Sequence, residues 1–511
     1  MSLYLIAVVV IGVFFARRAN ESTENYFLGG RGLGPWVAAM SAEASDMSGW
    51  LLMGLPGVAY WIGAADAAWT AIGLLAGTYI NWLVVAKPLR RYSALAGNSI
   101  TIPEFFSNRF KEQKSKPVLI IASMMILIFF AVYTASCFVT GGKLFAQLFG
   151  APYLPMMLLG AFVVILYTLL GGFLAESMSD FVQGIVMICA LIAVLALTVV
   201  RAGGFGELFD KIRGFPGFLT FFGMADPTLD ANGVQIVTNG APAFGAAKPY
   251  GFLTIISTLS WGLGYFGMPQ VLLRFFAIRR SGDITRSRRI ATVWCAISLA
   301  AAVLIGLAGR ALYPASPELL TAGGAEGVFI TIAKLFPPLI AGIMMAGILA
   351  AVMSSSDSYL LIASSALSKN IYQGILKKDA DDDKVMFISR LALIGIAIVG
   401  VIIALDQNSK IFTLVSFAWA GFGAAFGPLV LFSLFWKRTT HAGAVAGMAV
   451  GGGMVFLWKL ALKPLGGVFG IYELLPAFVL SCAAIVIVSL ATKAPSSEIQ
   501  EEFEAAKTFE C

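Results

Sequence analysis

The chain has 511 residues, of which 59% are hydrophobic and only 12% are charged. Soluble domains carry about 25% charged residues, so this composition excludes a soluble protein and indicates a helical protein that crosses a lipid bilayer many times. The formal net charge of +7 does not indicate a nucleic-acid partner, because the basic residues gather in short loops between apolar runs.

Thirteen apolar runs approach or exceed the roughly 20 residues that a helix needs to cross a bilayer. They cover residues 2–16, 35–54, 58–86, 118–147, 153–170, 178–200, 251–277, 290–309, 338–366, 387–405, 411–436, 442–461 and 470–491. We expect one transmembrane domain over 1–511. Residues 203–250 should form a partly structured extracellular loop, and 495–511 a cytoplasmic tail.

Basic residues predict the orientation in the membrane. Arg17 and Arg18 follow the first run and no basic segment precedes it, so we expect an uncleaved anchor whose N-terminus is outside. Most of the remaining Lys and Arg then face the cytoplasm, as the positive-inside rule requires. The sequence therefore predicts a multi-pass plasma-membrane protein whose C-terminus is cytoplasmic.

The second run is interrupted by polar residues over 41–49. This stretch holds Glu43, Asp46 and three serines, and a charged side chain at bilayer depth costs on the order of 3 kcal/mol. Such a cost is tolerated where the residue faces a polar cavity, an ion or a substrate. We interpret the stretch as a broken helix at a solute and ion site.

A second interruption falls at 260–269, where three glycines and a proline lie within eight residues. These residues weaken a helix strongly, and the break lies five runs after the first one. Paired breaks at corresponding positions of two halves indicate a transporter site. The alternative is ordinary helix packing through small residues.

A serine-rich stretch at 350–358 could supply ion ligands. On a helix Ser354, Asp357 and Ser358 share one face, and Ser355 lies beside them. Sodium is a hard cation and favours hydroxyl, carboxylate and carbonyl oxygens. The alternative is that the serines bond back to the carbonyl one turn earlier.

Two further residues are candidates with ordinary alternatives. Asp180 stands at the start of the run 178–200, where an aspartate in the first helical turn can simply complement the helix dipole. Tyr133 lies in the run 118–147, where a lone tyrosine is often a packing or interfacial residue.

Several longer sequence segments resemble the solute:sodium symporter family, and within it the carriers of proline. They lie at 28–31, 44–57, 261–267, 348–354 and 419–428. The resemblance covers nearly the whole chain. It implies an all-α membrane protein with a LeuT-like core of two inverted five-helix repeats, over 35–200 and 251–436, and thirteen transmembrane helices in all. It also implies sodium-coupled import of L-proline by alternating access.

Matched position by position, the resemblance implies a set of binding residues. The sodium ligands would be the carbonyls of Ala44, Met47 and Ala351 and the hydroxyls of Ser354 and Ser355. Proline would contact Ser48, Gly49, Tyr133, Trp261, Tyr265 and Pro269. Aromatic faces suit the ring and cationic nitrogen of proline, and half-helix N-termini suit its carboxylate.

Four residues form a possible second cation or coupling group. Asp46 matches an aspartate important for sodium coupling in the family, and Asp180 matches a position linked to a further cation site in some relatives. Asp357 and Ser358 lie one turn after Ser354. Departures from the family pattern at Glu43, Glu176 and Asp357 lead to the hypothesis that more than one sodium accompanies each solute.

Other functions stay open at this point. The same machinery could carry another amino acid, a sugar or a carboxylate. A membrane sensor is disfavoured because only about 20 residues follow the last run. An enzyme is disfavoured because the sequence offers no nucleophile–base pair and no metal motif, and its one histidine, His441, falls in a predicted loop. Co-transported sodium is the only cofactor expected. We expect a single chain to be sufficient for transport.

Overall fold

The computed structural model describes residues 2–19, 21–113 and 115–510 and is helical almost throughout. Its α-helices, numbered in chain order, are α1 Ser2–Ala19, α2 Thr23–Leu28, α3 Pro35–Asp46, α4 Leu55–Ile62, α5 Ala64–Ile80, α6 Ala86–Leu95, α7 Ile102–Arg109, α8 Pro117–Phe149, α9 Tyr153–Leu170, α10 Phe173–Ala202, α11 Phe205–Arg213, α12 Phe252–Leu259, α13 Pro269–Ala277, α14 Ile284–Leu312, α15 Val328–Ala333, α16 Pro338–Ser365, α17 Asp382–Ile403, α18 Ile411–Phe435, α19 His441–Leu457, α20 Leu474–Ala491 and α21 Ser497–Thr508.

Four short strands lie between α11 and α12. They are β1 Gly223–Met224, β2 Val237–Thr238, β3 Ala241–Pro242 and β4 Lys248–Pro249. β1 pairs with β4 and β2 with β3, both antiparallel. The loop at 203–250 is therefore partly structured, as the sequence predicts.

Within the described residues, nine helical stretches are long and apolar enough to cross a membrane, and four shorter apolar helices accompany them. The protein is therefore a multi-pass membrane protein. The count of thirteen crossings stays a prediction.

The first predicted interruption is present at the end of α3. Met47 leaves the helical conformation, with φ −88° and ψ 75°. The chain resumes a helix at Trp50, through the π-helical turn Trp50–Gly54, and continues into α4. The break thus occupies the last residues of the polar stretch.

The end of this broken helix differs from the sequence prediction. The apolar runs place a boundary near Pro56, but Pro56 lies inside the continuous helical stretch Trp50–Ile62, directly after its π-helical turn. The chain turns instead at Gly63, whose φ is 87°. A Cβ atom at Gly63 would lie 2.4 Å from the carbonyl oxygen of Phe218, so this turn requires glycine.

The second interruption is also present. After α12 the chain tightens into the 3₁₀ segment Ser260–Phe266, and Met268 is extended before Pro269 begins α13. α5 lies close against this break, because a Cβ atom at Gly262 would lie 2.3 Å from the carbonyl oxygen of Gly73.

The helices α3 and α13 lie side by side and are hydrogen-bonded along their length. At one end the N–H of Leu33, just before α3, donates to the Ala277 carbonyl at 3.0 Å. At the other end Gln270 Nε2 donates to Asp46 Oδ1 at 3.1 Å. These bonds hold together the half-helices that adjoin the two breaks.

Two local predictions from the sequence are wrong. α10 begins at Phe173, five residues before the apolar run, because polar residues of its first turns are buried against other helices. Asp180 therefore lies beyond the first turn, and the helix-dipole explanation does not apply to it. His441 does not fall in a loop but begins α19, after Thr440 caps that helix.

The tail after the last apolar run folds back on the protein as α21. Phe503 of this helix is buried next to Tyr92 of α6, with ring centroids 6.4 Å apart. Glu502 forms an ion pair with Lys111. The tail at 495–511 therefore contains a helix that packs against the rest of the protein.

Candidate functional site

Serine hydroxyls of α16 meet a main-chain carbonyl at the broken end of α3. Ser354 Oγ donates to the Ala44 carbonyl at 2.8 Å, and Ser355 Oγ approaches the same oxygen at 3.3 Å. Ser354 Oγ also lies 3.3 Å from the Ala351 carbonyl. The structure thus brings four of the five predicted sodium ligands together, and all four are fully buried.

The fifth predicted ligand, Met47, is the first non-helical residue of the break. Its N–H donates to the Glu43 carbonyl at 2.8 Å, which fixes it one turn beyond Glu43, the neighbour of Ala44. A hydroxyl oxygen keeps lone pairs and its hydrogen rotates freely, so Ser354 and Ser355 can turn from donating to a carbonyl to binding a cation. Neutral oxygens of this kind suit a hard monovalent ion.

The predicted solute residues divide between the two breaks. Tyr133 of α8 lies at the first break, with its hydroxyl 3.5 Å from the Asp46 carbonyl. It stacks on Tyr359 with ring centroids 4.2 Å apart. The Ser48 hydroxyl is buried, and among the described residues it has no hydrogen-bond partner. An unpaired buried hydroxyl costs about 1–3 kcal/mol, which a bound polar solute would remove.

Gly49 and Pro269 hold the backbone at the two breaks. A Cβ atom at Gly49 would lie 2.3 Å from Cγ2 of Thr140, so the first break fits closely against α8. Pro269 is the first residue of α13, where the N–H that proline lacks has no helical partner in any case.

Aromatic side chains surround the second break. Trp261 stacks on Tyr472 with centroids 4.9 Å apart, and Tyr265 meets Trp419 edge-on at 5.0 Å. Trp419 Nε1 donates to the Trp261 carbonyl at 2.8 Å. Trp261 also lines a cavity of about 610 Å³ together with Phe412 and Tyr472. The cavity is large enough to admit an amino acid to this side of the break.

The four residues of the predicted second cation group do not form one cluster. Asp46 bonds to Gln270. Asp180 instead meets Arg274 of α13, whose Nη2 lies 3.0 Å from Asp180 Oδ2. Arg274 also pairs with Glu176 and donates to Ser358 Oγ at 2.9 Å. The guanidinium is fully buried and offsets part of the negative charge of these groups.

Asp357 lies at the edge of this network. Its Oδ1 accepts from the Ser358 N–H at 2.8 Å, and its Oδ2 has no partner among the described residues. Glu176, Asp180 and Asp357 face a single guanidinium, which leaves two formal negative charges. In the part of the chain that the structure describes, no three His, Cys, Asp or Glu side chains could hold a metal ion together. A cation here would therefore also need hydroxyl and carbonyl oxygens.

Sequence reasoning missed Arg274, Gln270, Tyr359 and Trp419. Arg274 is a charged residue inside an apolar run, which was a usable signal, because such residues are rare in membrane helices and usually functional. Tyr359 directly follows the serine-rich stretch, but nothing in the sequence places it against Tyr133.

Sequence comparisons show which known proteins the chain resembles. Residues 26–451 match the model of the sodium:solute symporter family. The chain is 41% identical to the sodium/proline symporter of Escherichia coli strain K12 over 506 residues, which is 98% of this chain and 94% of that protein. It is 43% identical to the high-affinity proline transporter PutP of Bacillus subtilis strain 168, over 97% of this chain and 98% of that protein.

Solved structures agree on the fold. A sodium-coupled sialic acid symporter in its substrate-bound outward-open state superposes with a TM-score of 0.75 at 21% identity, over 96% of this chain and 97% of that one. Mhp1, a nucleobase-cation-symport-1 family transporter, superposes with a TM-score of 0.53 at 14% identity, over 94% of this chain and 98% of that one. These are LeuT-fold transporters, so the LeuT-like core predicted from the sequence is confirmed.

Proposed function

The chain belongs to the sodium:solute symporter family, and from that premise we propose that it imports L-proline together with sodium across the plasma membrane. The observation that carries the proposal is the meeting of Ser354 and Ser355 with the Ala44 carbonyl at the broken end of α3. Proline is proposed as the solute because both bacterial relatives are named for it.

Coupling follows from the position of the two sites on one break. Ala44 belongs to the ion site, and Ser48, four residues later, belongs to the solute site. A sodium ion that binds the carbonyls of the break fixes the backbone that presents Ser48 and Gly49. Solute and ion then stabilise the same arrangement, so each raises the affinity for the other. The membrane potential adds about 2.3 kcal/mol per charge per 100 mV.

The nature of the ligands favours sodium over protons as the driving ion. Proton relays in membranes are built from carboxylate and histidine side chains. The proposed ion site instead offers hydroxyls of Ser354 and Ser355 and main-chain carbonyls. Uptake should therefore follow a sodium gradient, and a proton gradient alone should not support it.

The test is uptake of labelled proline into proteoliposomes under an inward sodium gradient, compared with potassium and with a proton gradient. Ser354→Ala should lower the apparent sodium affinity at least about tenfold, which corresponds to about 1.4 kcal/mol. The matched control is Ser356→Ala on the same helix, because the Ser356 hydroxyl bonds back to the Val352 carbonyl. Unchanged sodium affinity in Ser354→Ala, or an equal loss in both variants, would contradict the proposed ion site.

We also propose that a second sodium ion binds beside Asp357. Support comes from its unpaired Oδ2 and from the excess of carboxylates over guanidinium around Arg274. Asp357→Ala should reduce the Hill coefficient for sodium towards one, while proline uptake itself persists. Unchanged cooperativity in Asp357→Ala would overturn this stoichiometry and leave the first ion site intact.

A further inference from the structure

A cleft of about 450 Å³ opens at the beginning of α8, on the side of the membrane that we propose to be cytoplasmic. Three lysines line it. Lys116 directly precedes α8, Lys369 lies in the π-helical extension of α16, Ala366–Leu376, and Lys378 follows that extension. Among the described residues the close ion pairs do not include these three lysines, although Lys369 and Lys116 act electrostatically on Glu104.

The two carboxylates of the cleft already have partners. Glu112 accepts hydrogen bonds from the Val118 N–H at 2.9 Å and pairs with His441 Nε2 at 2.7 Å. Glu104 accepts from the Ile100 N–H at 2.8 Å. The cleft therefore presents three ammonium groups against two carboxylates, and this excess of positive charge favours an anion as its ligand.

An apolar groove of about 530 Å³ lies deeper along the same helix, between α8 and α17. Its lining is aliphatic and includes Leu127, Ile128, Val132, Leu367, Ile396 and Val399. Ile128 and Val399 are 38% and 46% exposed, on a surface that faces lipid in a membrane. A Cβ atom at Gly395 would meet nothing within 4 Å, so this glycine keeps the groove open.

The cleft and the groove are close enough to receive one molecule. A Cβ atom at Gly374 would lie 3.3 Å from Cδ2 of Leu119, which places the α16 extension level with the start of α8. From Leu119 to Leu127 the helix rises about 12 Å, within the roughly 15 Å depth of one hydrocarbon leaflet. Leu367 of the groove and Lys369 of the cleft belong to the same helical segment.

We propose that the cleft and the groove together bind one anionic phospholipid of the adjacent leaflet. The phosphate lies among Lys116, Lys369 and Lys378, and one acyl chain occupies the groove between α8 and α17. Basic pockets at the ends of membrane helices attract anionic headgroups, and the wholly apolar groove selects a lipid over a free phosphate. This binding is independent of proline and sodium transport.

The test is native mass spectrometry of the full chain, released from nanodiscs that contain equal amounts of phosphatidylglycerol and phosphatidylcholine. We expect one retained lipid with a preference for phosphatidylglycerol. The triple variant Lys116→Gln, Lys369→Gln and Lys378→Gln should reduce that preference at least about tenfold. The matched control is the triple variant Lys377→Gln, Lys437→Gln and Lys493→Gln. It removes three exposed lysines that we assign to the cytoplasmic side, and it should leave the preference for phosphatidylglycerol unchanged.

A second variant separates a lipid from a free anion. Gly395→Leu fills the groove without a change of charge, and it should lower lipid retention while the cleft stays intact. An equal loss of preference in both lysine triples would overturn the proposal. The proposal would also be overturned if excess inorganic phosphate displaced the ligand and Gly395→Leu had no effect on its retention. The cleft would then bind only a free anion. Size-exclusion profiles of each variant confirm that it is folded.

Discussion

Arg274 is the residue on which the buried charges of the core depend. Its guanidinium bonds to Ser41 at 2.9 Å and to Asp180 at 3.0 Å, and it pairs with Glu176. A buried ion pair adds little net stability, but removal of one partner leaves an uncompensated charge in a medium that solvates it poorly. Arg274 is therefore required even if the network as a whole is close to neutral in free energy.

We expect Arg274→Met to destabilise the protein by about 3–5 kcal/mol, because Glu176 and Asp180 lose their buried cation. The measurement is the thermal unfolding midpoint in detergent. Arg279→Met is the control, since Arg279 is exposed and pairs only at the surface with Asp283, where a pair contributes about 0–1 kcal/mol. Equal unfolding midpoints for the two variants would show that the Arg274 network does not make this contribution to stability.

The partial success of sequence reasoning at the site has a physical cause. Ser354 and Ser355 were identifiable because hydroxyls cluster locally, and the resemblance supplied Ala44 and Ala351. The partners of Arg274 could not be identified from the sequence. Glu176 lies 98 residues away from Arg274 in the chain and contacts it only after the helices have packed. Local patterns indicate which residues are unusual, and tertiary contacts decide what they pair with.

At the scale of helices, both breaks could be predicted because the local residue composition indicates them. Polar residues interrupt the first apolar run, and glycine with proline interrupts the second. The boundary at Gly63 could not be predicted in the same way. Pro56 is ordinarily a helix terminator, and the contact of Gly63 with Phe218, from a loop more than a hundred residues later, is absent from any local window.

We expect Gly262→Ala to push α5 away from the second break. The added Cβ would lie 2.3 Å from the Gly73 carbonyl oxygen, and overpacking of a close helix contact costs about 1–3 kcal/mol. Proline uptake and the unfolding midpoint should both fall. Gly342→Ala in α16 is the control, because nothing lies within 4 Å of its added Cβ. A wild-type midpoint and uptake in Gly262→Ala would contradict this close contact.

For the whole molecule, the distribution of charge leads us to propose that the N-terminus is outside and the C-terminus is cytoplasmic. The five native cysteines are replaced by serine, and Lys211→Cys and Lys378→Cys are tested one at a time with a membrane-impermeant maleimide. Both side chains are exposed. Lys211→Cys should react in intact cells, and Lys378→Cys only after permeabilisation. The opposite pattern would reverse the topology.

The bonds between α3 and α13 have a consequence for how the protein moves. Leu33 and Ala277 join one end of the pair, Ser41 and Arg274 the middle, and Asp46 and Gln270 the other end. A motion that separates these half-helices must break all of these bonds, whereas a motion that carries both preserves them. We therefore expect the two half-helices to move together as one body. The two interrupted helices, and the ion and solute residues that they carry, should then rearrange in the same step.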